Sequence, residues 1–216
     1  MHGSLYFYFH PQKEAPGRQF PVHPAVEAAT RVGRFAQQTK RFEGRAANAA
    51  ENLVDFRHFR SVHGFGDVSE SSFEVEGDIL RSSVRFTRPL PFLASRSVRI
   101  TLHASIYGVG LSVSELQLDD FNLPLTLVTN PTPIDERSFD LTLTLVSRAS
   151  VDMVPRVLER QLLKLLVHNA FVDAEADRPI WAHRREGHSR YVPGDEGLAA
   201  FRRLIESPPA APSSGF

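Results

Sequence analysis

Four consecutive stretches decide the fold: SVRITLHASIYG (97–108), LSVSELQLDDF (111–121), LPLTLVTNPTPID (123–135) and SFDLTLTLVSRA (138–149). In each, apolar side chains alternate with polar ones. That is the period of a strand with one buried face. FEVEGDILRSSVRFTR (73–88) has the same texture. Residues 72–148 therefore form a meander of antiparallel strands, and Asp135-Glu136-Arg137-Ser138 is a hairpin turn between the last two.

On either side of the meander the period changes. VDMVPRVLERQLLKLLVHNAFV (151–172) is the strongest helix, with Leu158, Leu162, Leu165, Leu166 and Asn169 on or near one face and Pro155 in its first turn. A loop and a short helix near 195–206 follow, then the low-complexity tail SPPAAPSSGF, expected to be disordered. Upstream, residues 46–63 have helical character, with Leu53, Phe56 and Phe59 at three-residue steps, and stop at Gly64 and Gly66. Residues 1–10 read as a strand, and residues 11–24, with four prolines, as an extended loop. Residues 25–42 show no clear pattern. The expected architecture is α+β: a curved antiparallel sheet wrapped around a long C-terminal helix, as one domain over residues 1–206. The concave face of such a sheet makes an apolar pocket.

The 216 residues are 42% hydrophobic and 23% charged, ordinary for a globular domain. Lys+Arg and Asp+Glu are 25 each, without the basic excess of a nucleic-acid binder. No apolar run approaches the length of a membrane-spanning helix. The first residues, MHGSLYFYFH, lack the basic start and aliphatic core of a signal peptide, so the expected location is cytoplasmic. There is no cysteine. That excludes disulfides, thiolate catalysis and cysteine-ligated zinc or iron–sulfur sites from these residues.

Of nine histidines, His58 and His63 stand out because one short segment ending in Gly64 carries both. On an ideal helix, residues five apart point roughly 140° apart. A loosened last turn before Gly64 would bring the rings together on one ion. Taken alone, the pair also fits two partly buried histidines on an amphipathic helix. The surrounding string, Glu51-Asn52-x-x-Asp55-x-x-His58-Phe59-x-x-x-His63-Gly64, resembles the mononuclear-iron motif of Rieske non-haem iron oxygenases. Asp177-Arg178-Pro179-Ile180-Trp181 is similar to the ligand segment of the steroid 9-alpha-hydroxylase-like branch. Ile106–Gly110, Thr132–Glu136, Phe201-Arg202-Arg203 and the opening HGSLYFYFHPQ resemble further parts of the same catalytic domain, so the likeness runs from about residue 3 to about 206. That domain has a helix-grip, START-like fold.

The resemblance implies a mononuclear Fe(II) site with His58, His63 and Asp177 as ligands, a two-histidine, one-carboxylate triad that leaves positions open for dioxygen. Asp173, four residues earlier, is the alternative carboxylate. Asp55 would lie on the electron path from a neighbouring subunit's cluster and orient a ligand histidine, and Asn52 would sit near the iron. The implied activity is oxygenation of a hydrophobic small molecule, a sterol or polycyclic or aromatic compound, with dioxygen and external electrons. Candidate pocket walls are Leu53, Phe59, Phe65, Ile106, Val113, Leu125, Leu127 and Phe171. Trp181 reads as a packing anchor, and His103, His168, His183 and His188 as solvated or core histidines.

The departure from the family is the missing cysteine: no C-x-H and C-x-x-H pair is present, so these residues hold no 2Fe-2S cluster of their own. The chain starts about where the catalytic domain would start. A separate Rieske or ferredoxin-type donor with its reductase, and a homotrimer, are the partners that the resemblance implies. The alternative function is a non-catalytic module that binds a lipid, steroid or polyketide. A metal-dependent enzyme outside redox chemistry is a third.

Overall fold

The computed structural model describes residues 34–89, 96–121, 123–147, 156–184 and 191–206. The expectations for residues 1–10 and 11–24, for Pro155, for His188 and for the tail fall outside these residues. Seven antiparallel strands form one sheet: β1 (Phe35–Glu43), β2 (Gly66–Glu76), β3 (Ile79–Pro89), β4 (Ser97–Ile106), β5 (Ser112–Leu118), β6 (Leu123–Pro133) and β7 (Ser138–Ser147). Their order is β1-β7-β6-β5-β4-β3-β2. From β2 onward it is the expected meander, starting at Gly66 rather than 72. Residues 134–137 form the expected turn, with the Arg137 N–H donating to Asp135 Oδ1 at 2.8 Å.

β1 was not legible as a strand. FAQQTKRFE turns only Ala36 and Phe42 fully into the core, and polar side chains fill the positions between. It is a strand because β7 offers it a complete edge, nine residues in register from Phe35–Val146 to Glu43–Ser138.

Between β1 and β2 lie helix α1 (Ala46–Glu51), a 3-10 turn (Asn52–Val54) and helix α2 (Phe56–Ser61). The single helix expected over 46–63 is thus broken at Asp55, whose φ/ψ of −94°/79° is not helical. The sheet makes room for the break. Ser82, Ala104 and Ser114 lie side by side across β3, β4 and β5, and Ser82 Oγ donates to the Leu53 carbonyl at 2.8 Å. Small side chains in one row let the turn sit down on the sheet.

The long helix α3 runs from Arg156 to His183, eleven residues past the expected end. It packs chiefly on β1 and β7. Its inner stripe is Glu159, Leu163, Val167, Phe171, Ala174, Asp177 and Trp181, all buried at steps of three and four. The expected face is right in part: Leu166 and Asn169 turn toward the cavity, whereas Leu158 and Leu165 point outward, 59% and 39% exposed. Counting leucines misplaced these two, because the inner stripe carries carboxylates and alanine as well. Pro179 does not end the helix. One missing N–H is a smaller loss than exposing Trp181, which packs against Phe42 and Phe139 at 5.2 and 5.5 Å between ring centres. Gly44, after β1, has φ +115°, and a Cβ there would stand 2.7 Å from the Trp181 carbonyl oxygen. This close approach seats the end of α3 against the β1–α1 junction. Helix α4 (Glu196–Glu206) packs on β3 and the 3-10 turn, its Phe201 fully buried.

Candidate metal centre

Three segments meet under the sheet. α2 supplies His58, the two residues beyond it supply His63, and α3 supplies Asp177. Asp55 caps α2, its Oδ1 accepting the His58 backbone N–H at 3.1 Å. The helix ends at Ser61, and Gly64 takes φ +65°, so His63 is carried round by the unwinding chain rather than by the helix. The two rings lie 4.6 Å apart, edge to face. The loosened last turn is therefore what converts a five-residue spacing into a common focus.

One ligand atom from each of His58, His63 and Asp177 lies within 4.8 Å of the others. His58 Nε2 is 2.7 Å and His63 Nε2 3.8 Å from the Asp177 carboxylate. Asp177 is 3% exposed, and Asn52 Nδ2 donates to its Oδ2 at 2.8 Å. Its Oδ1 has only the His58 imidazole beside it, 2.7 Å away. A buried carboxylate oxygen with so little compensation is costly unless that ring is charged or a cation is bound. Two imidazole nitrogens and one carboxylate form a donor set that suits a divalent transition metal, and a cation there would satisfy that oxygen. Burial holds the His63 imidazole below its ordinary pKa, against the opposing pull of Asp177. That favours the neutral form a ligand needs.

Asp173 is engaged elsewhere. Arg88 grips it through two nitrogens at 2.5 and 3.2 Å. Burial pushes its carboxyl up, with Arg88 pulling the other way.

A cavity of about 220 Å³ opens beside the triad, between the concave face of the sheet and α3. Leu53, Phe59, Phe65, Leu125 and Leu127 line it as expected, and so does Trp181. Ile106, Val113 and Phe171 do not. Ile106 packs with α4 residues, Val113 lies on the other face of β5 beside Val128, and Phe171 stacks on Phe42. Trp181 is a packing anchor, as expected, and it seats the end of α3. His103, His168 and His183 are exposed.

A family model for the 3-ketosteroid 9alpha-hydroxylase C-terminal domain matches residues 7–203. The chain belongs to this family. It is a catalytic domain of the Rieske oxygenase type. No curated protein matches it in sequence at a significant level. Among solved structures, Pseudomonas putida CBB5 NdmA with caffeine has a TM-score of 0.57 at 15% identity, covering 87% of this chain and 55% of that one. Dicamba monooxygenase bound to dicamba has 0.56 at 14%, covering 92% and 64%. At these identities the likeness is one of fold. The chain spans a little over half the length of those relatives.

Asn52 touches both the Asp177 carboxylate and, at 3.4 Å, His58 Nε2. Asp55 is beside His58, yet its one described hydrogen bond is to the backbone and not to an imidazole. Arg88 and Asn169 line the cavity and were not singled out from the sequence. They come from β3 and α3, and no local pattern joins them.

Proposed function

We propose that His58, His63 and Asp177 hold iron(II) and that the domain oxygenates a hydrophobic small molecule bound in the adjoining cavity. The observation that carries this is the convergence of one ligand atom each from His58, His63 and Asp177 within 4.8 Å of one another. Bound iron(II) supplies the oxygen-activating chemistry of the reaction.

The chain's own residues do the rest. Asn52 fixes the carboxylate by donating to Oδ2, which leaves Oδ1 for the metal. Asp55 fixes His58 through its backbone N–H. Phe65, 5.2 Å from the His63 ring and tilted by 31° to it, packs against that imidazole. The apolar walls exclude water and orient an apolar substrate toward the triad. Electrons come from an external Rieske or ferredoxin-type donor, with Asp55 as the entry point. A sterol or polycyclic skeleton is the substrate class that the family supports best.

The test is anaerobic iron(II) titration of the purified chain against His58→Ala. One iron per chain, lost in the variant, is expected. No specific iron in the parent would refute the oxygenase reading and leave the binding-module alternative, which predicts ligand affinity unchanged in a His58→Ala, His63→Ala double variant.

A further inference from the structure

Two donors that belong to the cavity wall have nothing to donate to. Asn169 on α3 is 6% exposed, and its Nδ2 is buried without a partner; so is the Nε of Arg88 on β3. Buried polar groups are nearly always paired, so each such exception calls for a partner. Apart from atoms of the metal triad, the described cavity-lining residues have no other buried side-chain nitrogen or oxygen without a partner. Both are donors, so the complement they call for is an acceptor.

Charge narrows the choice. Asp173 already occupies two nitrogens of Arg88, and the guanidinium lies over Phe65 at 5.1 Å. A second carboxylate at Arg88 would be held beside Asp173 and repelled by it. An uncharged acceptor meets no such opposition. Position narrows it further. Asn169, Asp173 and Asp177 follow at four-residue steps on α3, which sets Asp173 roughly 6 Å and Asn169 roughly 12 Å from the Asp177 carboxylate along the axis.

We propose that Asn169 and Arg88 are the specificity-determining residues of this cavity, and that its occupant is an uncharged, largely apolar molecule with one oxygen acceptor docked on them, one to two helical turns from the carbon presented to the metal. This deepens the reading of the cavity as a substrate site and rests on it.

The chain has one tryptophan, and it lines the cavity, so Trp181 fluorescence reports filling directly. The probes are decalin, 2-decalone and decalin-2-carboxylate, titrated under nitrogen with and without iron(II). In the parent, 2-decalone should bind about tenfold more tightly than decalin, the ratio that one hydrogen bond from a charged or well-buried donor supplies. The carboxylate should bind more weakly than the ketone. The ketone preference should fall toward one in Asn169→Leu and shrink in Arg88→Lys, which keeps a cation for Asp173 while removing Nε. Equal affinity for decalin and decalone in the parent overturns the proposal, and needs no variant to do so. So does a preference that survives both substitutions, or tighter binding of the carboxylate. Because binding is read without turnover, a failure here with one iron still bound strikes only the assignment of Asn169 and Arg88. Loss of iron binding strikes the function itself.

Discussion

Asp177 and Asp173 are one helical turn apart, and what separates their roles is the partner each meets. Asp173 meets Arg88, whereas Asp177 meets two imidazoles and an amide. The family resemblance pointed to Asp177. The reason Asp173 is unavailable, a cation 85 positions away in the chain, has no local signature. A buried carboxylate whose Oδ1 faces only a neutral imidazole should destabilise the metal-free fold. Asp177→Asn is therefore expected to raise metal-free stability by about 1–3 kcal/mol, while losing the stabilisation that iron(II) gives the parent. Melting curves with and without iron check this; a variant less stable than the metal-free parent would contradict it. Asn52→Ala should leave the ligands in place and weaken iron binding about 10–100-fold, read by competition with a chelator. Unchanged affinity would mean that the amide does not set the carboxylate.

At the level of the element, α3 shows where periodicity misleads. The leucine positions 158 and 165 form an outer stripe, while Leu163 and Val167 face the sheet. Leu163→Ala should cost about 2–5 kcal/mol and Leu165→Ala less than about 0.5 kcal/mol in urea unfolding; comparable losses would restore the original face. The helix is also strapped to β1. Arg178 and Lys40 both bond Glu175, and Arg178 lies over Phe42 at 4.3 Å. The Arg178 pairing, helped by Lys40, pulls the Glu175 carboxyl from 4.5 down to about 2. A carboxyl lowered in the folded state stabilises fully above its ordinary value, and that contribution fades as the pH falls toward 2. The groups are partly exposed, so Glu175→Gln should cost less than about 1 kcal/mol at pH 7. The difference from the parent should shrink between pH 4.5 and 2. A gap that widens on acidification would contradict the sign. The break at Asp55 was the other element the pattern hid, since Leu53, Phe56 and Phe59 keep a helical step across a turn that is not helical.

For the whole molecule, alternation made β3 to β7 legible, because each turns apolar side chains into the core; β2 was legible only in its last residues, being exposed along almost its whole length. β1 escaped because an edge strand paired on one side can be mostly polar. The metal motif was legible because His58 and His63 are close in sequence. The cavity was legible only in part, because its wall is assembled from the segment running from α1 through α2 to Phe65, from α3 and from five strands whose register no single segment states. Among the described residues no helix is long and apolar enough to cross a membrane.

His58 lies before β2 and Asp177 near the end of α3, so the whole run of strands from β2 to β7 lies between two members of the candidate triad. An ion held by both would close a covalent-like loop around six strands in a chain that has no cysteine to form such a tie. Loops of about 100 residues confine the unfolded chain by as much as about 4.7 kcal/mol when cross-linked. The metal would then act as a clasp as well as a reagent: iron loading should slow proteolysis of the entire sheet, and chelation should release it as a unit.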